Sequence, residues 1–275
     1  MPGLRRMTDK SRGAMDSTNR VLIVSDGVAD EQPLIDAAVA LGTPASAGGT
    51  LLRIAPPAWS PLAPLPRPLP RFPTGGDWQV LADASLAELD IQRQRHPLTL
   101  AAHQPAPWPR EGLTALTRQL LTPPHGTLLI VRRPGAAPYR RVLVAIELSA
   151  DRAADCLQLA RRFAPAAELT VLHALPRQPD AADQACPPDQ REAALDRLDA
   201  LLDQAGLSPR QAFKIAECAH APELILDKER ELLADLLVIG GRTPSALRRL
   251  FYRGVMPQVL AQAGCDVLIA PAQPR

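Results

Sequence analysis

Residues 240 to 254, GGRTPSALRRLFYRG, contain the residue types with which proteins bind phosphate. They follow the apolar run DLLVI and precede the helix-forming run VMPQVLAQAG. Glycine lets backbone N–H groups approach an anion closely, and the N-terminus of a following helix favours negative charge. However, the glycine spacing fits none of the common phosphate loops. The stretch is therefore a phosphate site, a degenerate phosphate site or only a turn.

Four arginines lie in and beside this loop: Arg242, Arg248, Arg249 and Arg253. Guanidinium groups bind phosphate through paired hydrogen bonds, so the arginines would replace missing amide contacts. The alternative is a solvated basic face, because exposed arginines are common. His173 and His220 are expected at strand ends, where they either line the same crevice or serve as satisfied polar residues.

Other catalytic patterns are absent from the sequence. It contains no nucleophile elbow, Walker loop, zinc helix or kinase set, so no catalytic residue and no enzymatic activity are predicted. The four cysteines include no C-x-x-C pair, and no histidine lies at metal-ligand spacing from them. These four residues are Cys156, Cys186, Cys218 and Cys265. They are interpreted as small buried thiols of a cytosolic protein, and no metal is expected.

The second half of the chain alternates between apolar runs and segments of helical period. Five runs predict strands: RVLVAIEL, ELTVLHAL, AFKIAEC, DLLVIGG and DVLIAPA. Helices are predicted between them, with Ser149 and Pro222 at the start of two. Near-continuous apolar strands are typical of a sheet covered on both faces. Strict alternation predicts a parallel, doubly wound α/β fold with right-handed crossovers.

The first half follows the same order. RVLIVSDGVADEQPLIDAAVALG, from Arg20, matches the pattern of RVLVAIELSADRAADCLQLARRFA, from Arg141, about 120 residues later. Strands are predicted at RVLIVSD, TLLRIA, WQVLAD, LTLAAH and TLLIVRR. Helices are predicted over 30–42, 84–95 and 110–121. The segment RRPGAAPYRR, residues 132–141, is predicted to link the two halves.

One expected helix, between the second and third strands, is replaced by proline. Residues 56–73 contain eight prolines, which forbids an α-helix and favours an extended path. The segment is either a ligand for a proline-binding module or a stiff crossing in place of the lost helix. Because loop length enters closure entropy only logarithmically, replacing residues 58–72 with a shorter linker is expected to change stability little.

Two regions resemble the universal stress protein family: ADLLVIGGRTPSALRRLFYRGVMPQVLAQAGCDVLIA and RVLVAIELSADRA. With two such halves, the chain is similar to tandem members of that family over roughly residues 19 to 273. The resemblance implies two tandem domains, each with a five-stranded parallel sheet in the order 3-2-1-4-5. They are expected over 19–135, with the proline-rich insert 56–73, and over 136–273, after a disordered tail over 1–18. In the family the last strands, here TLLIVRR and DVLIAPA, often pair.

Many family members bind ATP with the signature Gly-x2-Gly-x9-Gly-Ser/Thr and an acidic residue after the first strand. Only Gly240 matches a glycine of this signature, because Thr243 and Arg253 stand at the other two and Gly254 replaces the hydroxyl. Glu147 stands at the acidic position, and Pro244 removes an N–H group from the loop. The candidate nucleotide-binding residues are Ile146, Glu147, Gly240, Gly241, Arg242, Thr243, Arg253, Gly254 and Val255.

The first half departs further from the family pattern. Asp26 fits the acidic position, but QPAPWPREGLTAL has no glycine loop and carries Trp108 after His103. The resemblance therefore implies that this half has lost nucleotide binding. For the whole chain it implies a cytoplasmic stress-response or adaptor protein with a degenerate ATP motif. The alternative is a domain 2 that binds ATP or AMP through altered contacts, with slow hydrolysis; beyond such weakly bound ATP, no cofactor is expected.

Charge and hydropathy narrow the expected partners. The net charge is +2, with both signs interspersed, so neither nucleic acid nor a membrane is an expected partner. No run reaches the roughly 18 apolar residues of a membrane span. The segment MPGLRRMTDKSRGAMDSTNR is no secretory signal and is a tail, or an extension before a start at Met15. A homodimer and an unidentified protein partner are the expected assemblies.

Overall fold

A computed structural model describes a defined part of the chain: residues 21–26, 30–41, 48–54, 68–74, 76–102, 115–121, 126–133, 135, 138–148, 153–176, 186–240 and 255–271. Several predictions concern residues outside these ranges: the N-terminal tail, most of the proline-rich insert, His103, Trp108, Ser149 and residues 241–254.

The described residues form ten strands and seven α-helices in an alternating order. The strands are β1 Val21–Ser25, β2 Gly49–Ile54, β3 Trp78–Ala84, β4 Leu98–Ala102, β5 Thr127–Val131, β6 Arg141–Ala145, β7 Glu168–Leu175, β8 Ala212–Cys218, β9 Leu236–Ile239 and β10 Asp266–Ile269. The α-helices are α1 Gln32–Ala40, α2 Leu86–Arg95, α3 Ala115–Leu120, α4 Ala153–Phe163, α5 Pro188–Gln204, α6 Ala221–Glu231 and α7 Val255–Gln262. A 3-10 turn, Pro209–Gln211, precedes β8.

All ten strands join in one sheet, in the order β3-β2-β1-β4-β5-β10-β9-β6-β7-β8. Each half contributes five parallel strands in the order 3-2-1-4-5, as predicted. The expectation of two five-stranded sheets needs correction, because β5 and β10 pair antiparallel and fuse them. The predicted pairing of the two last strands is thereby confirmed. Since each last strand covers the other's edge, neither exposes unpaired backbone groups there.

The central strands of the sheet, such as β1 and β5, are apolar along their whole length because helices cover both faces there. In β1, Val21 and Ile23 pack into the core on one face, and Leu22 and Val24 pack into the core on the other. All four are at most 1% exposed. This burial on both faces is the reason that continuous apolar runs, rather than alternating ones, predicted the strands correctly.

A buried carboxylate holds the linker between the halves against the sheet. Asp266, the first residue of β10, is 1% exposed. Its Oδ1 accepts hydrogen bonds from the backbone N–H of Arg132 at 2.7 Å and of Arg133 at 3.0 Å. Its Oδ2 accepts one from the hydroxyl of Tyr139 at 2.9 Å. Burial raises the pKa of Asp266 above its ordinary value, although these three hydrogen bonds oppose the shift.

Replacement of this carboxylate is expected to destabilise the whole protein. Asp266→Asn replaces a charged acceptor of three hydrogen bonds with a neutral amide whose NH₂ group cannot accept, so the free energy of unfolding should fall by about 2–4 kcal/mol. Tyr139→Phe removes one hydrogen bond, so it should lower the free energy by about 1–2 kcal/mol. Urea unfolding measures both. Equal losses in the two variants would contradict the role given to the backbone contacts.

The loss of stability in Asp266→Asn is also expected to depend on pH. Because the pKa of Asp266 lies above its ordinary value of 3.8, the folded protein binds this proton before the unfolded chain does as pH falls. As pH falls from the raised pKa to the ordinary pKa, protonation of this residue therefore raises the free energy of unfolding. The asparagine variant lacks that gain, so its stability deficit should grow as pH falls through this window.

The described end of the proline-rich segment, residues 68–74, packs against α1 and β3 and is not helical. The side-chain amide of Gln32 in α1 bonds the backbone of Arg71 twice, accepting from its N–H at 2.8 Å and donating to its carbonyl at 3.3 Å. Phe72 stacks on Trp78 with ring centroids 5.0 Å apart. These contacts argue against the expectation that all of residues 58–72 are neutral for stability, because 68–72 contribute packing.

The two parts of the segment should therefore differ in their effect on stability. Phe72→Ala removes the aromatic stack and is expected to lower the free energy of unfolding by about 2 kcal/mol. Gln32→Ala should lower it by about 1 kcal/mol. Replacing only residues 58–66 with a short Gly-Ser linker is the matched control and should change it by less than about 0.5 kcal/mol. The reverse order of effects would contradict this assignment.

The cysteines follow the sequence interpretation only in part. Cys156 and Cys265 are buried and take no part in a disulfide, as expected. Cys186 and Cys218 instead form a disulfide, with Cα atoms 5.1 Å apart. The interpretation of all four as thiols was wrong for this pair because two residues 32 positions apart meet only when α5 packs on β8. The pair does not fit a protein held permanently in a reducing cytosol.

Candidate functional site

The strand register of the second half brings three strand ends level with one another. Ala145 of β6 pairs with Leu172 of β7 on one side and with Ile239 of β9 on the other. The sheet continues from β6 to β7 on one side and to β9 on the other. The connections that leave these strands diverge, so a crevice opens at the carboxyl ends of the strands. Ligands of open α/β sheets bind at such switch points.

A cavity of about 90 Å³ lies in this crevice. Its walls are mostly apolar, with Glu147, His173 and Gly240 as the exceptions. Small side chains keep the space open: Ala145 and Ala174 on the strands, and Ala221 at the start of α6. A mostly apolar space with a few polar groups at its walls is typical of small-molecule sites.

The polar groups come from the first residues beyond β6 and from β7. Glu147 lies two residues beyond the end of β6 and is half-buried at the cavity wall. His173 faces the cavity from β7, and its Nδ1 lies 3.1 Å from the carbonyl oxygen of Ile146. A carbonyl only accepts, so Nδ1 is the donor in this contact. In the neutral ring, Nε2 is then left as an acceptor.

The structure places four predicted site residues at this cavity: Ile146, Glu147, Gly240 and Val255. The remaining five lie outside the described ranges: Gly241, Arg242, Thr243, Arg253 and Gly254. Of the two histidines considered, His173 lines the cavity. His220 is exposed at the start of α6, with its Nδ1 3.4 Å from Glu223, and is not among the lining residues.

Sequence reasoning missed the wall supplied by α6. Ala221 and Ile225 line the cavity from that helix, four residues apart and therefore on one helical face. Sequence periodicity identified the helix, but it does not say which residues of a helix face a crevice instead of the core. Pro222 at the first turn of α6 marked only where the helix begins.

Gly240 has a packing role that is independent of any ligand. A Cβ atom at this position would lie 1.7 Å from the Sγ atom of Cys156 in α4. No real Cβ tolerates that distance, so α4 can approach β9 this closely only beside a glycine. The presence of Gly240, the one matching signature glycine, is therefore explained without phosphate.

This packing role is tested by a double-mutant cycle. Gly240→Ala should lower the free energy of unfolding by about 2–3 kcal/mol because it overpacks the contact with Cys156. Cys156→Ala alone should cost about 1 kcal/mol. The double variant should lose clearly less than the sum, since the clashing sulfur is gone. Strictly additive losses, measured by urea unfolding, would contradict the contact.

The equivalent crevice of the first half is built differently. Ser25 of β1 pairs with Arg53 of β2, so Arg53 stands where His173 stands in the second half. Its guanidinium group donates twice to the carboxylate of Glu31, from Nε at 2.9 Å and from Nη2 at 2.6 Å. Glu31 is only 5% exposed, and its hydrogen bond raises the pKa of Arg53. A buried ion pair thus occupies this strand end.

Other kinds of site find no support where the chain is described. No three His, Cys, Asp or Glu side chains of the described ranges converge to hold a metal ion. Among the same residues, no helix is both long and apolar enough to cross a membrane.

The comparisons with known proteins agree with this fold. Residues 138–271 match the model of the universal stress protein family, and this half of the chain belongs to that family. No curated protein matches the chain. The solved structure of a universal stress protein from Archaeoglobus fulgidus DSM 4304 is similar over 92% of this chain and 98% of its own, with a TM-score of 0.66 and 13% identity.

A second solved structure has the same extent of similarity. A protein from Pseudomonas aeruginosa UCBPP-PA14, described as a universal stress protein, is similar over 92% of this chain and 93% of its own. The TM-score is 0.60 and the identity 16%. At such identities the likeness concerns the fold alone, and it extends over both halves of the chain.

Proposed function

We propose that this chain is a tandem universal stress protein that works as a cytoplasmic stress-response or adaptor protein and has no enzymatic activity. The nucleotide site of its second half is degenerate on the phosphate side. The observation that carries the proposal is the open cavity at the strand ends. In the sequence that follows β9, Thr243, Arg253 and Gly254 replace the residues that approach phosphate in the family signature.

A second candidate function is binding of AMP or ATP through altered contacts, and the cavity favours it. Its apolar walls suit a purine ring, and Glu147 at the rim suits the hydroxyl groups of a ribose. The arginines beside the loop supply charge without the close backbone approach that glycine allows. Phosphate groups should then add little affinity, and that little should be sensitive to salt.

The first half is proposed to bind no nucleotide. The ion pair of Glu31 and Arg53 stands at the strand end where the second half has His173, and a purine there would have to displace or desolvate two charges. This half then serves the adaptor role through its surface, with a second copy of the chain or another protein as partner.

Calorimetric titration at physiological salt tests the proposal. Mg-ATP should bind more weakly than micromolar, and adenosine, AMP and Mg-ATP should differ by less than about tenfold because the phosphates contribute little. Ala221→Leu fills the cavity from α6 and should weaken AMP binding at least about tenfold with an unchanged melting temperature. Micromolar binding of Mg-ATP by the unaltered protein would contradict the degenerate phosphate side.

Restoring the family signature is the companion experiment. The triple variant Thr243→Gly, Arg253→Gly and Gly254→Ser should bind Mg-ATP at least about tenfold more tightly than the parent and leave adenosine binding unchanged. Arg248→Gly, outside the signature, is the matched control. If the triple variant gains nothing, the obstacle lies elsewhere in the loop or cavity, for example at Pro244 or Glu147.

A further inference from the structure

The disulfide lies at the same edge of the sheet as the cavity. Cys218 is the last residue of β8 and pairs with Leu175 of β7, two positions beyond His173. Two residues along a strand correspond to about 7 Å, so the last residue of β8 lies about that far along the strand direction beyond His173, which lines the cavity. Cys186 stands two residues before α5. The bond therefore joins the start of α5 to the carboxyl end of β8.

The chain leads directly from this disulfide to one wall of the cavity. The N–H of Ala219, next to Cys218, donates to the carbonyl of Leu175 at 3.2 Å. His220 follows as the N-terminal cap residue of α6, and Ala221 and Ile225 of that helix line the cavity. Formation or reduction of the disulfide at Cys218 thus acts on residues 218–221, the β8–α6 junction, which positions α6.

The four cysteines separate into two kinds by exposure. Cys156 is 2% exposed and Cys265 is 0% exposed, so neither meets solvent in the folded state. Cys186 and Cys218 are both half-buried and are therefore accessible to a small thiol. Reactive cysteines are typically accessible in this way, whereas structural cysteines are buried and inert. Sulfur chemistry in the folded protein is thus confined to one pair.

The disulfide is not the only attachment of α5. Leu198 and Leu202 of this helix are fully buried in the core, so core packing also holds the helix against the sheet. A half-buried bond that is not the sole attachment of its helix, in a protein proposed to be cytoplasmic, can form and break with the redox state of its surroundings.

We propose that Cys186 and Cys218 are a reversible dithiol–disulfide pair that couples oxidising conditions to the cavity. A low-molecular-weight disulfide such as glutathione disulfide is the oxidant. One protein thiolate attacks it and forms a mixed disulfide, releasing one thiol; the second protein thiolate then displaces the other. The protein loses two electrons and two protons, and the oxidant becomes two thiols. In the oxidised form the β8–α6 junction is fixed.

This inference rests on the proposed function only where it concerns ligand affinity. Fixing the junction pre-organises the wall formed by Ala221 and Ile225, so the oxidised protein should bind AMP roughly three- to tenfold more tightly than the reduced protein. The ordering of the junction itself needs no ligand and is measured independently by hydrogen exchange of the amides of residues 219–226.

The experiment equilibrates the full chain in glutathione buffers from reducing to oxidising, then alkylates free thiols and identifies peptides by mass spectrometry. A linked pair of peptides containing Cys186 and Cys218 should appear as the buffer becomes oxidising, with Cys156 and Cys265 still as thiols. Amides of residues 219–226 should exchange at least about threefold more slowly in the linked form. Cys186→Ser and Cys218→Ser should each behave as the reduced protein in every buffer.

The outcomes separate the two proposals. Cysteines that stay open to alkylation in glutathione disulfide, or a linked form with unchanged exchange over residues 219–226, would overturn the redox coupling. If the exchange differs and neither form binds AMP, the coupling stands and the nucleotide function fails. If both forms bind AMP with equal affinity, the coupling does not reach the cavity and this inference is overturned, while the proposed function remains.

Discussion

The register of the parallel sheet is the constraint on which the rest of the molecule depends. Because Ala145 pairs with both Leu172 and Ile239, the residues that follow them leave the sheet at the same level and enclose one crevice. The same register holds in the first half, where Val24 pairs with Leu52 and Ala101. The same crevice is thus formed in both halves, and the two crevices differ in the side chains at the strand ends.

Those side chains make the two copies unequal. In the second half the strand ends carry small apolar residues and His173, so a cavity stays open. In the first half Arg53 replaces the histidine and is held by the buried carboxylate of Glu31. The antiparallel contact of β5 with β10 and the carboxylate of Asp266 then join the unequal halves in one continuous sheet. The two halves thus share one frame and differ in the side chains at their strand ends.

The sequence predicted what depends on local pattern and missed what depends on distant contacts. Apolar runs located all ten strands within a few residues, most reliably the central strands, which are buried on both faces. The helix predicted over 110–121 is described only as Ala115–Leu120. The disulfide and the ion pair of Glu31 with Arg53 join residues 32 and 22 positions apart, and no spacing rule indicates such meetings. Likewise, the sequence indicated a phosphate-binding role for Gly240. The contact that explains this glycine is with Cys156 of α4, which is distant in sequence.

We infer that one crevice of this sheet accepts a nucleoside and that its counterpart does not. Photo-crosslinking with azido-adenosine, followed by peptide mapping, tests this central claim most directly. Labelled peptides should contain Ile146 and Glu147 or His173, with labelling suppressed by excess adenosine. Equal labelling of peptides containing Ser25 or Arg53, or labelling that excess adenosine does not suppress, would contradict the claim.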